Sequence, residues 1–109
     1  MKLTDKKCVP CEGGVPPLSD AEIKNYLAQL KTDWEVVEAK KIKKQFKFKN
    51  FKEAMHFINK VAELAESENH HPDMHIYYNR VIIELWTHAA GGLSENDFIL
   101  AAKVELINK

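Results

Sequence analysis

The 109-residue sequence has few of the features that would assign it to a class at once. It has only two cysteines, Cys8 and Cys11, so it has no disulfide framework and a reducing compartment is the simpler expectation. Its 16 basic residues balance its 16 acidic residues, so charge does not indicate a nucleic-acid partner. No apolar run approaches the ~20 residues that span a bilayer, and residues 1–7 contain no apolar signal segment. These absences favour a cytoplasmic protein that binds neither membrane nor nucleic acid.

What is present predicts one folded domain with an N-terminal extension. A chain of this length with 45% hydrophobic residues can bury a sizeable core. Residues 1–18 contain both cysteines, a Gly-Gly pair and a Pro-Pro pair and show little apolar periodicity, which is typical of an extended arm. The domain is expected to span residues 19–109, because Ser19 and Glu22 have the spacing of a helix capping box.

Apolar periodicity predicts three helices and four strands in the order α-β-β-α-β-β-α. Helix caps are expected at Ser19, Asn50 and Ser94, and the second helix is expected to run to about Ser67. Strands are expected near residues 34–38, 40–49, 74–78 and 81–88, with a hairpin turn at Asn79-Arg80. This order implies an α+β fold, a four-stranded antiparallel sheet with helices packed on one face.

The last strand alternates between two kinds of side chain. One face carries Val81, Ile83, Leu85 and Thr87, and the other carries Ile82, Glu84, Trp86 and His88. The first face is expected to meet the helices. The second is expected to line a cleft or to pack against another subunit.

The last helix is apolar around much of its circumference. Its apolar residues are Phe98, Ile99, Leu100, Ala101, Ala102, Val104, Leu106 and Ile107. One intramolecular face does not cover so wide a surface, and contiguous exposed apolar patches are uncommon on monomers. The pattern therefore predicts a homodimer or homotetramer with this helix in the interface.

The most informative segment is Glu66-Ser67-Glu68-Asn69-His70-His71-Pro72. Histidine is the natural proton-transfer group near neutral pH, and Pro72 forces a turn at this helix-to-strand junction. His88, at the expected end of a strand, could converge with His70 and His71 on one cleft. Each supporting residue also has a purely structural interpretation: Glu66 as a solvated helix-end carboxylate, Tyr78 as a core aromatic, and Asp97 as the N3 residue of a Ser94 capping box.

Other candidate groups carry weaker signals. Cys8-Val9-Pro10-Cys11 is half of a zinc or redox motif, and no second half exists in the sequence. His56, on the polar flank of the second helix, and His75, near a strand start, are expected to be structural. The lysines of the second strand are expected to form a solvated sheet face.

The ordered spacing of Glu66, His70-His71-Pro72, Tyr78, His88 and Asp97 resembles that of the pterin-4a-carbinolamine dehydratases, over residues 19–107. The resemblance implies a hydro-lyase that dehydrates 4a-hydroxytetrahydrobiopterin during pterin recycling after aromatic amino acid hydroxylation. It implies that His70, His71 and His88 are the essential histidines: His70 and His88 would transfer protons and His71 would help to bind the pterin. Glu66 and Asp97 would support them, without metal or organic cofactor, in a dimer or tetramer.

Two positions depart from the animal members of that family. Asn69 stands where they carry aspartate, and Met74 where they commonly carry tryptophan, so both are expected to be substrate-binding or supporting positions. These departures leave a second hypothesis open, a non-catalytic interaction module on the same scaffold, like the animal members that act as dimerisation cofactors.

Overall fold

The computed structural model describes residues 2–9 and 16–108. The helices are α1 (Asp20–Leu27), α2 (Phe51–Glu68) and α3 (Glu95–Ile107), and the strands are β1 (Glu35–Val37), β2 (Lys41–Lys47), β3 (Asp73–Tyr77) and β4 (Arg80–Leu85). Two short 3-10 turns, Leu3–Asp5 and His88–Ala90, accompany them. The predicted α+β fold and its element order are confirmed. No helix among these residues has the length and apolar character needed to cross a bilayer.

The four strands form one antiparallel sheet in the order β1-β2-β4-β3. In the central pair, Ile42 lies opposite Leu85 and Phe46 opposite Val81, so their side chains point to the same face. This face is buried, with Ile42, Val81 and Leu85 fully inaccessible to solvent. The helices cover it, and the predicted alternation of β4 is the reason for its apolar character.

The β3–β4 turn lies one residue earlier than the sequence indicates. Tyr77 pairs with Arg80, so the two turn residues are Tyr78 and Asn79, rather than Asn79 and Arg80. Asn79 is held by Phe48: its Nδ2 donates to the Phe48 carbonyl at 3.0 Å, and its own carbonyl accepts from the Phe48 N–H at 2.8 Å. A long-range contact with Phe48, the residue that follows β2, therefore sets the position of the turn.

Helix α3 is buried by its own chain. As predicted, it is apolar on several sides and has a partner on each, but those partners are α1, α2 and the N-terminal 3-10 turn. Phe98, Leu100 and Val104 are fully buried within a single chain, whereas Leu106 keeps 41% of its surface exposed. The inference that α3 has surplus apolar surface is therefore wrong. A homo-oligomer remains a prediction, without support from this helix.

The N-terminal residues 2–9 lie against α3. Leu3 is 3% exposed and belongs to the core, and Lys6 Nζ lies 2.7 Å from Glu95 Oε2 at the start of the helix. Cys11 and the Gly13-Gly14 pair, which the sequence places in the same arm, lie outside the described residues.

Candidate active site

A cleft of about 490 Å³ lies where the end of α2, the end of β4 and the start of α3 meet. It is lined by Val9, Asn69, His70, His71, Pro72, Asp73, Trp86, Thr87, His88, Ala89 and Asn96. The structure thus brings together the three histidines His70, His71 and His88. Two wider grooves, of about 990 and 940 Å³, lie elsewhere and contain none of these histidines.

The C-terminal end of α2 directs His70 and His71 into the cleft. Asn69 has a left-handed conformation, with φ of 53° and ψ of 39°, and asparagine is one of the few residues other than glycine that adopts it readily. The His70 N–H then donates to the Ala65 carbonyl at 3.2 Å, which closes the end of the helix. Asn69 therefore has a backbone role as well as a place in the cleft wall.

His70 is held by a buried carboxylate. Its Nε2 lies 2.6 Å from Asp97 Oδ1; the His70 side chain is 13% exposed and that of Asp97 is fully buried. In the neutral tautomer that donates from Nε2 to this carboxylate, Nδ1 is the ring nitrogen that can accept a proton.

Asp97 has a second set of partners. Its Oδ2 accepts from Thr87 Oγ1 at 2.8 Å and from the Ser94 N–H at 2.9 Å. The Ser94 bond is the helix-capping contact that the spacing predicts. Capping and contact with a histidine, which the sequence presents as alternatives, are therefore combined in one side chain.

Thr87 is a site residue that sequence analysis missed. It is 4% exposed, and its hydroxyl lies 2.7 Å from Ser94 Oγ in addition to its bond to Asp97. The available signal is a single hydroxyl on the otherwise apolar face of the strand that the sequence predicts at residues 81–88, because a buried polar group requires a partner.

His71 and Glu66 form a second pair at the rim. Glu66 lies in the last turn of α2, five residues before His71, and its Oε2 is within hydrogen-bond distance of His71 Nε2. Both side chains are mostly exposed, at 54% for His71 and 77% for Glu66. This pair lies in high dielectric and is free to exchange with water.

His88 opens the second 3-10 turn rather than ending a strand, because β4 stops at Leu85 and only an isolated bridge from Thr87 to Gly92 continues the pairing. Its ring packs on that of Trp86, with 3.7 Å between centroids and an angle of 34°. Gly91, at φ +70°, ends the turn and returns the chain toward α3.

The remaining candidates lie away from the cleft lining. Met74 on β3 is half-buried and packs against the core, opposite Ile83. Tyr78 is 65% exposed in the β3–β4 turn, so its interpretation as a core aromatic is wrong. His56 is exposed on α2, and His75 Nε2 lies 3.6 Å from Glu84 Oε2 on the sheet.

Comparison with known proteins supports one family. The family model for pterin 4 alpha carbinolamine dehydratase matches residues 16–107. Proteins provisionally named pterin-4-alpha-carbinolamine dehydratase in Rickettsia canadensis and Alkaliphilus metalliredigens are each 52% identical over 103 residues, which cover 94% of this chain and 94% and 93% of theirs.

Solved structures agree with this result. A transcriptional coactivator/pterin dehydratase from Brucella melitensis superposes with a TM-score of 0.79 at 35% identity, covering 85% of this chain and 99% of its own. A pterin dehydratase-like RuBisCO assembly factor of the alpha-carboxysome has a TM-score of 0.61 at 22% identity over 71% of this chain and 90% of its own, which shows a shared fold alone. The chain therefore belongs to the pterin-4-alpha-carbinolamine dehydratase family, whose members are hydro-lyases.

Proposed function

We propose that this chain dehydrates 4a-hydroxytetrahydrobiopterin to the quinonoid dihydropterin by general acid–base catalysis at His70 and His88. The observation that carries the proposal is the convergence of these histidines and His71 on one cleft, with His70 fixed by buried Asp97. The proton balance is simple. A base removes the N5 proton, the C4a–O bond breaks as the C4a–N5 double bond forms, and an acid protonates the departing hydroxyl to give water.

His70 is suited to the role of base. Asp97 fixes its ring orientation and leaves Nδ1 available, and the negative carboxylate complements the imidazolium that forms when Nδ1 accepts the N5 proton. Thr87 and the Ser94 N–H hold the carboxylate in turn.

His88 is suited to the role of acid. It is an exposed residue of the cleft lining, and its ring rests on Trp86, which restricts its orientation. His71, supported by Glu66, would donate to the bound pterin from the rim. Asn69 would support the site through the backbone at the end of α2, and Met74 would act through the packing of β3.

Turnover of 4a-hydroxytetrahydropterin by the purified protein tests the proposal. General acid–base assistance contributes typically about 10²–10⁴-fold, so His70→Ala and His88→Ala should each lower kcat by a factor in that range. His56→Ala, an exposed histidine outside the cleft, is the matched control and should leave kcat unchanged. Wild-type protein that fails to exceed the uncatalysed rate would contradict the proposal.

The second candidate is the interaction module. It is favoured by the Brucella relative, whose name pairs transcriptional coactivator with pterin dehydratase. All three histidines of the signature are present in the cleft of this chain, which a pure binding module does not require. The exchange Asn69→Asp separates the two: a large gain in kcat would indicate a weakened enzyme, and absence of turnover with either residue would favour the interaction role.

The proposal also includes the cellular role and the oligomeric state of the protein. We infer cytoplasmic recycling of the tetrahydropterin after aromatic amino acid hydroxylation, by a homodimer or homotetramer. Light scattering at micromolar concentration tests the assembly, and a monomer mass would contradict it.

A further inference from the structure

Residues 6–9, here called the N-terminal strap, are anchored beside the cleft by polar contacts. Lys6 pairs with Glu95, the Cys8 N–H donates to Glu68 Oε1 at 2.9 Å, and Cys8 Sγ lies 3.5 Å from the Asn96 carbonyl. These partners lie at the end of α2 and the start of α3, the two segments that carry His70 and Asp97. The strap thus crosses the junction on which the site is built.

Val9 is fixed most firmly of the strap residues. Its N–H donates to Asn96 Oδ1 at 3.0 Å, and its carbonyl accepts from Asn96 Nδ2 at 2.6 Å. A carboxamide that both donates to and accepts from one residue reproduces the pairing of two β-strands. Asn96 is only 4% exposed, so this clamp is shielded from water.

The neighbouring groups are arranged for support rather than chemistry. Lys103 Nζ lies 2.8 Å from Glu68 Oε2, and both side chains are mostly buried, at 16% and 8% exposure. Burial and the nearby Glu68 carboxylate raise the pKa of the Cys8 thiol to about 12, so it stays protonated and is a poor nucleophile. The strap therefore brings no reactive group to the cleft.

What the strap does bring is an apolar side chain. Val9 lines the cleft together with the three histidines and keeps 65% of its surface exposed. A valine whose backbone is clamped by a buried amide, but whose methyl groups remain in solvent at a cleft wall, is placed for contact with a ligand. Planar heterocycles such as pterins gain from apolar contacts of this kind.

We propose that Val9 is a substrate-binding residue of the cleft, which contacts the bound pterin, and that Asn96 is the positioning residue that holds it there. This inference rests on the proposed function, because it takes the pterin as the ligand. It assigns the N-terminal strap to the substrate site rather than to a separate arm.

A direct test uses 7,8-dihydrobiopterin, a pterin without the 4a-hydroxyl, as a probe that cannot be dehydrated. In protein labelled at valine methyl groups, Val9 is assigned by the signals lost in Val9→Ser. Nuclear Overhauser effects between the Val9 methyls and probe protons are expected at saturation, together with shifts of the His88 ring signals. Shifts at His88 without any effect from Val9 would overturn the strap inference and leave the proposed function standing. No change at either residue would overturn both.

Kinetics provide the second test. Val9→Ser should raise KM about tenfold, the scale of an altered apolar contact in a pocket, while kcat changes little. Asn96→Asp, which cannot donate to the Val9 carbonyl, should raise KM in the same direction. Phe51→Ser, at a 47% exposed apolar residue outside the cleft lining, is the control and should leave KM unchanged. An unchanged KM in Val9→Ser, or an equal rise in the control, would refute the role of Val9.

Discussion

Two adjacent histidines in this protein each meet a carboxylate, and the two pairs differ in almost everything else. His70 meets Asp97, which is fully buried and bound by two further donors, whereas His71 meets Glu66, whose side chain is 77% exposed. In both pairs Nε2 faces an oxygen at short range. The distance between Nε2 and the carboxylate oxygen therefore does not distinguish the two pairs.

The environment separates them. An exposed ion pair is typically worth about 0–1 kcal/mol because water competes for both partners. A buried carboxylate that loses a partner is left with an unmet desolvation cost, so its neighbours are constrained to stay. His70 is therefore a fixed group and His71 an adjustable one, in keeping with the proton-transfer and ligand-binding roles proposed for them above.

The largest expected difference between the two pairs is in kcat, when the negative charge of each pair is removed in a separate variant. Asp97→Asn replaces an acceptor by an amide that can force the wrong His70 tautomer, so kcat should fall by about 10²-fold or more. Glu66→Gln should change kcat by less than about threefold, since an exposed pair contributes little. Steady-state turnover of both variants decides this, and equal losses would contradict the distinction.

The next largest expected effect is on the free energy of unfolding and concerns a donor that binds Asp97. Thr87→Val removes the hydroxyl bound to Oδ2 and should lower the free energy of unfolding by about 1–3 kcal/mol, the usual cost of an unmet buried polar group. Ser67→Ala removes an exposed hydroxyl that donates to the Leu64 carbonyl and should have little effect. Urea denaturation of both variants measures the difference, and equal stabilities would show that burial is not the cause.

A smaller effect is expected at the residue that directs both histidines. Asn69→Ala puts a side chain with little tolerance for the left-handed conformation at φ 53° and should cost about 1 kcal/mol. Asn69→Gly should cost less, because glycine adopts this conformation freely. Thermal unfolding of the two variants tests this, and a greater loss for glycine would contradict the backbone role.

The smallest expected effect concerns a third carboxylate, that of Glu68, which lies on the same turn of α2 as Glu66. Burial raises its pKa, but hydrogen bonds from Lys103 and the Cys8 N–H outweigh burial, so the pKa is lowered from its usual 4.5. Its stabilising contribution is therefore complete above about pH 4.5 and is lost as pH falls through the lowered value.

Glu68→Gln should accordingly be less stable than the wild type at pH 7, and the gap should narrow below about pH 4.5. Glu63→Gln, on an exposed position of the same helix, controls for the loss of one negative charge. Unfolding free energies from pH 3 to pH 7 provide the test, and a gap that widens in acid would reverse the assigned direction.

The helix caps and sheet faces could be predicted because they depend on local spacing. The structure shows the Ser19–Glu22 capping box, the cap at Asn50 and the alternation of β4 as expected. What the sequence could not provide were contacts between distant segments. Asn79 fixes the hairpin turn through Phe48, at a separation of 31 residues.

The same distinction holds for the site. The histidines were found because their order and spacing are distinctive, and the fold then places them in one cleft. Val9 and Asn96 could not be identified from the sequence, because their pairing joins residues 87 positions apart and neither residue type is unusual where it stands. The coverage of α3 by the N-terminal segment was missed for the same reason, which led to the mistaken inference of surplus apolar surface.

Asp97 caps α3 through the Ser94 N–H and orients His70 with its other oxygen. These two tasks set different tolerances for the side chain at this position. Glutamate is the usual third residue of a capping box, so the helix would accept the longer acid. The contacts with His70 and Thr87 would not accept it, because one added methylene would move the carboxylate away from His70 Nε2 and Thr87 Oγ1. Aspartate therefore has the length at which capping of the helix and alignment of His70 coincide, so the first turn of α3 cannot loosen without releasing His70.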